Sequence, residues 1–386
     1  MKLIKNATVA VGTGEIIENG QIAFDDKIRY VGKHYTGEAD TEYDVSGLVV
    51  TPGLVDSHCH TGLFGDALGF EAADANEDSD PITPQLRAID GINPQDRAFS
   101  DALSAGVTTV VTGPGSANPI GGQFAAIKTY GAVVDEMIIK APCAMKMALG
   151  ENPKTVYNDK SQAPMTRMGT VALIRETLIK TTNYRDEWDE YHKDEDENDK
   201  PEFDMKLEAT LPVINKEIPV KFHAHRADDI CSAIRIAKEF DLDYSVEHCS
   251  DGDIVADYLA RNDVRINLGP TLTDRSKPEL KNLTFDTYRH LSDLGLDISI
   301  ITDHPEITIE NLKLCAALAV SKGMDKSKAL SAVTLTAARN SRIDDRVGSL
   351  ETGKDADIAV FTELPTEFTA ECKMTFVNGE LVYSTK

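Results

Sequence analysis

The 386-residue chain is poor in basic residues and cysteine, and each shortage excludes something. Lys and Arg number 40 against 64 Asp and Glu, giving a net charge of −24. Such an excess repels phosphate backbones and anionic lipid surfaces, which excludes nucleic acid and membrane as partners and leaves a small-molecule substrate. No run approaches the roughly 20 apolar residues a membrane span needs. Six scattered cysteines without a Cys-x-x-Cys pair are too sparse for a disulfide scaffold, so a reducing, cytoplasmic setting is expected. The start, MKLIKNATVAVGTGEII, alternates and turns polar where a signal peptide would need an apolar core, and reads as a strand. The acidic stretch Arg185–Asp204 lacks ligand spacing and reads as a solvated face.

What is present is β-rich at both ends and alternating between. Leu3–Val9, Gln21–Phe24 and Ile28–Val31 are short strands, as are Ile358–Phe361, Cys372–Val377 and Leu381–Tyr383, the last two joined by the hairpin dipeptide Asn378-Gly379. The middle alternates strand-like apolar runs with helical patterns, the mark of βα units. The expected fold is therefore a TIM-like (β/α)8 barrel of parallel strands over residues 51–344, with a small β-sandwich formed by 1–50 and 345–386. Seven barrel strands are recognisable: Leu54–Ser57, Thr108–Val111, Ala144–Leu149, Pro219–His223, Tyr244–Glu247, Arg265–Leu268 and Ile298–Thr302. The eighth is expected between Glu151 and Pro219, where the pattern offers only helices.

In Thr51-Pro-Gly-Leu-Val-Asp-Ser-His-Cys-His60 an apolar strand ends in two histidines one residue apart. Residues i and i+2 of a strand face the same way, so His58 and His60 can aim at one cation while Cys59 points off. The C-terminal end of a barrel strand is where such enzymes keep their sites. Glu151, His223, His225, His248 and Asp303 lie at later strand ends, and His304 follows Asp303 toward the opposite face. Arg226, Arg275 and Lys277 fall just beyond strand ends, where a cation can clamp a substrate carboxylate; a solvated loop cation is the plainer reading of each. Gly113–Gly122 lacks the Gly-Lys-Ser/Thr ending of a phosphate loop and reads as an active-site loop. Gly62–Asn93 is long enough for a lid, and with Tyr157–Lys200 is expected to set specificity.

These motifs together resemble the amidohydrolase superfamily, particularly its imidazolonepropionase-like group: Pro-Gly-Leu-Val-Asp-x-His-x-His at the first strand, Gly150-Glu-Asn-Pro153 at the third, and Val347-Gly-Ser-Leu-Glu-Thr-Gly-Lys-Asp-Ala-Asp357 on the return to the terminal β segment. The resemblance covers nearly the whole chain. It implies a divalent cation, most simply zinc with manganese or iron as alternatives, held by His58, His60, His223, His248 and Asp303. Many relatives bridge two cations with a carboxylated lysine from the fourth strand and others with a glutamate from the third. Glu151 stands where that glutamate would and no fourth-strand lysine is recognisable, so Glu151 is expected as the bridging metal ligand.

Activation of water by the cation, with Asp303 as general base and then acid, makes hydrolysis of an amide, cyclic amide or peptide-like bond the expected reaction. His225, Arg226, Arg275 and Lys277 are the candidate substrate contacts. A heterocyclic-amine deaminase is the alternative, but such relatives carry a glutamate at the position of Arg226. A scaffold that lost its metal is a third reading, opposed by the full ligand set. Homo-oligomers are common among relatives, and no interface patch is legible.

Overall fold

The computed structural model describes residues 1–65 and 69–385. The chain opens with five strands, β1 (Lys2–Ala10), β2 (Ile16–Phe24), β3 (Ile28–Gly32), β4 (Thr41–Asp44) and β5 (Val49–Pro52). It then enters the barrel: β6 (Leu54–Cys59), β7 (Val107–Thr112), β8 (Ile120–Lys128), β9 (Ile138–Ala148), β10 (Val220–Ala224), β11 (Tyr244–His248), β12 (Arg265–Leu268) and β13 (Ile298–Ile300). It finishes with β14 (Ile358–Phe361), β15 (Cys372–Val377) and β16 (Glu380–Ser384).

The eight barrel strands pair in the order of the chain, and their ends are stitched together beyond the ladder. Asp303 N donates to His58 O at 3.2 Å and His60 N to His304 O at 2.9 Å, bringing the last strand against the first at the C-terminal rim. β6, β7, β8, β10 and β13 are buried along their whole length, as strands covered on both faces require.

The barrel departs from the expected all-parallel form. β8 runs antiparallel to both β7 and β9, and it supplies the eighth strand, which the sequence pattern places between Glu151 and Pro219. That later region is helical, Glu151–Asp159, Arg167–Lys193 and Met205–Ile214, so much of Tyr157–Lys200 is helix and not loop. Part of Gly113–Gly122 is likewise strand. Because β8 is antiparallel, it returns from β7 through a short loop with no intervening helix, which is the connection a βα reading does not look for. All nine of its residues are buried. Gly122 (φ +130°) sits where a Cβ would come within 2.6 Å of the Leu86 carbonyl oxygen, so residues 82–87 can lie along the strand. Residues 66–68 of the expected lid Gly62–Asn93 lie outside the described residues.

Strands from both ends of the chain join one hydrogen-bonded sheet, in which β5 pairs with β14 and β1 with β2, β4 and β5. The β15–β16 turn places Asn378 at φ 49° and Gly379 at φ 77°, the left-handed pair that a two-residue hairpin needs. Ile4, Val9, Ile22, Phe24, Val50, Ile358 and Phe376 form its apolar cluster. Lys128 at the end of β8 fastens this sheet to the barrel, with Nζ 2.8 Å from Asp355 Oδ2 and 2.6 Å from Asp357 Oδ2. Among the described residues no helix is long and apolar enough to cross a membrane.

Candidate metal centre

The strand ends at the C-terminal rim bring buried imidazoles into two trios. His58, His60 and Asp303 form one, and His223, His225 and His248 the other; in each, ligand atoms lie within 4.8 Å of one another. His60 Nε2 is 3.2 Å and His58 Nε2 3.5 Å from Asp303 Oδ1, while His248 Nδ1 is 3.8 Å from Oδ2. Asp303 therefore stands between the trios. It adopts φ 53°, and His248 φ 69°, left-handed conformations that turn both side chains at their strand ends.

Neighbouring groups aim the rings. His60 Nδ1 is 2.7 Å from Gly113 O and His248 Nδ1 is 2.8 Å from Gly269 O; a carbonyl only accepts, so each Nδ1 carries the proton and each Nε2 presents a lone pair. His225 Nδ1 meets Ser250 Oγ at 2.8 Å. Asp56, fully buried, accepts from His58 N and from the amide and hydroxyl of Thr302, tying the first strand to the residue before Asp303. Burial pushes its carboxyl up to about 7. Burial also lowers the pKa of His58, His223 and His248 well below the usual range, and that of His225 to about 3, so all four imidazoles are neutral near pH 7.

Neutral imidazoles and a carboxylate that point lone pairs at one another fit a cation. His248 Nε2 and Asp303 Oδ1 are buried without a hydrogen-bond partner, and His60 Nε2 faces Asp303 Oδ1 acceptor to acceptor. Without a positive charge between them that arrangement costs desolvation with no return. The donor set, imidazole with carboxylate, suits zinc and also manganese or iron.

The structure places Glu151 outside both trios. β9 ends at Ala148, and Gly150 (φ +86°) turns the chain into the helix Glu151–Asp159, so Glu151 departs from the strand axis and its amide donates to Glu279 Oε2. The residue that reaches between the rings is Lys146, fully buried on β9, with Nζ 3.0 Å from His58 Nε2. Burial lowers its pKa to about 8, partly offset by Asp303 and Glu247. β9 is the fourth strand of the sheet once β8 is counted. A lone lysine in the apolar run Cys143-Ala-Met-Lys-Met-Ala148 was the available signal. Phe124 of β8, equally unforeseen, stacks under His58 at 5.1 Å.

A cavity of about 550 Å³ opens above the trios. Lys277 lines it and donates to Asn152 Oδ1 at 3.0 Å, and His225 lines it as well. Glu151 and Glu306 are also in its wall; burial raises the pKa of Glu306, and that of Glu279 behind the wall to about 7. Arg226 turns outward to pair with Asp228, and Arg275 bonds to Leu283 O at a separate surface depression; neither lines the cavity. His304 accepts from Ile309 N through Nδ1.

Comparison with known proteins agrees with this architecture. Residues 249–382 match the model of the amidohydrolase family. The amidohydrolase tasK of Hapsidospora irregularis is 29% identical over 87% of this chain, which spans 36% of that longer protein. An imidazolonepropionase of Fusobacterium nucleatum is 26% identical, with 92% of this chain and 83% of that protein aligned. A crystal structure of an amidohydrolase from Thermotoga maritima superposes with a TM-score of 0.95 at 39% identity, over 100% of both chains. A β-aspartyl dipeptidase from Fervidobacterium islandicum shares the fold, with a TM-score of 0.63 at 18% identity over 99% and 97% of the two chains. The family is one of hydrolases of carbon–nitrogen bonds, generally metal-dependent, and the chain belongs to it: it is an imidazolonepropionase-like member of the amidohydrolase superfamily.

Proposed function

We propose that the chain is a metal-dependent amidohydrolase that cleaves an amide, cyclic amide or peptide-like bond of a small molecule. The observation that carries this reading is the pair of buried trios in which His248 Nε2 and Asp303 Oδ1 have no hydrogen-bond partner. Residues 51–344 are the catalytic barrel. Residues 1–50 and 345–386 form the satellite, and its single apolar cluster fed by both chain ends supports a sandwich.

His58, His60 and Asp303 would hold one divalent cation, most simply zinc, and His223 and His248 a second. Lys146 takes the place between them that the sequence reading gave to Glu151, and carboxylation of its Nζ by CO2 would turn it into an anionic bridge. A bound cation supplies Lewis acidity, lowering the pKa of water to about 7 and polarising the carbonyl. Asp303 accepts the proton of the attacking water and returns it to the leaving nitrogen. His225 and Lys277 contact the substrate, Lys277 as a point charge for a carboxylate or other anionic group. The outward turn of Arg226 leaves no acid at the position a deaminase would use to protonate a ring.

Elemental analysis of purified protein tests the reading. Wild type is expected to carry about one or two equivalents of zinc, manganese or iron, lost in His58→Ala. Protein that stays empty after incubation with all three metals overturns it.

A further inference from the structure

TIM-barrel interiors are filled chiefly by branched apolar side chains. Directly beneath the histidines this barrel carries a polar layer instead: Lys221, Glu247 and Asn267, with Ser57, Ser245 and Ser299, all buried. Glu247 is its hub. Both carboxylate oxygens accept from Asn267 Nδ2, at 2.9 and 3.0 Å, and Ser245 Oγ donates to Oε1. Oε2 lies 3.0 Å from Lys221 Nζ and 2.9 Å from His58 Nδ1.

A buried ion pair is a poor way to gain stability, because desolvation cancels most of the attraction. What this pair touches gives it another role. The Nδ1 contact is short but lacks hydrogen-bond geometry, and among the described residues His58 Nδ1 has no other partner. Its Nε2 already faces Lys146 Nζ and Asp303 Oδ1.

We propose that Glu247, with Lys221 as its counter-charge, is a positioning residue that fixes His58 as the Nδ1–H tautomer and aims Nε2 at the cation. This rests on the metal-centre reading above and adds a residue to it. The carboxylate acts through the imidazole, ordering the ring and raising its basicity as a ligand.

The test titrates chelator-stripped protein with Co2+, reading affinity by competition with a chelating dye and geometry by the visible absorption band. In the double variant Glu247→Gln/Lys221→Met no charge is left buried alone. It is expected to bind Co2+ about 10- to 100-fold more weakly than wild type, with a shifted band. Glu247→Asp keeps the charge opposite Lys221 but withdraws it from His58 by one methylene; it is expected to weaken binding too, and it serves if the double variant does not fold. Wild-type affinity and spectrum in either folded variant would show Glu247 to be only the counter-ion of Lys221 and overturn the proposal. Wild-type protein that binds no Co2+ defeats the metal-centre reading instead, which separates the two failures.

Discussion

Asp303 combines a backbone that few residues accept with a carboxylate that approaches His58, His60 and His248. Its φ of 53° is tolerated by Asp and Asn far better than by other side chains, so Asp303→Asn keeps the turn and the shape while removing the proton acceptor. That variant is expected to lose about 10²- to 10⁴-fold in kcat, measured alongside its metal content. A kcat within threefold of wild type at equal metal loading would remove Asp303 from the acid–base role. Lys277 presents a different case. Among the described residues it enters no ion pair, and it lines the cavity with Nζ bonded to Asn152 Oδ1. Lys277→Met should raise KM about 10-fold or more for a substrate bearing a carboxylate and leave its uncharged amide analogue unaffected. Steady-state kinetics on such a pair checks it, and equal KM changes for both would assign Lys277 to the wall alone.

At the scale of elements, β8 separates what was legible from what was not. Strands such as Arg265–Leu268 are legible to the residue because each is a short, isolated strand pattern following a helix. β8 begins Ile120-Gly-Gly, follows β7 through a Pro- and Gly-containing loop, and has no helix before it, so it looks like the tail of that loop. Missing it displaced the strand count by one, which hid Lys146: a lysine on the third recognised strand is the fourth-strand lysine once β8 is inserted. The histidines and Asp303 were legible because strand ends concentrate them. Lys146, Lys221 and Glu247 lie inside strands, where a single charge in an apolar run is easily read as an edge residue. Phe124 makes β8 more than a spacer, since its ring lies beneath His58 and near the ammonium of Lys146, 5.7 Å from the ring centre. Phe124→Ala should cost about 3–5 kcal/mol of stability by cavity formation. Denaturant unfolding measures it, and a loss under about 1 kcal/mol would show that the floor of the site collapses to fill the space.

For the whole molecule, the question is what holds the satellite sheet to the barrel. Asp355, nearly inaccessible on the sheet side, accepts from Arg346 Nε and Nη2, from Lys27 and from Lys128 of β8. Burial alone would raise its pKa, but Arg346, Lys128 and Lys27 outweigh that and hold the carboxyl well below the usual carboxylate range. A carboxyl whose folded pKa is depressed binds its proton less readily in the native state than in the unfolded chain. Its contribution is therefore complete above the unfolded value of about 3.9 and drains away as pH falls toward the lower folded value. Asp355→Asn should cost about 1–3 kcal/mol near pH 7, because Lys128, Lys27 and Arg346 lose a charged acceptor while Lys128 keeps Asp357. The difference in melting temperature between wild type and Asp355→Asn should hold steady from about pH 7 to 5 and shrink from there toward about pH 2, as Asp355 of the unfolded wild-type chain takes up the proton that the native carboxylate still resists. A difference that stays constant to the acid limit would mean that the charge on Asp355 contributes nothing to the junction and that packing of the two cores alone holds it.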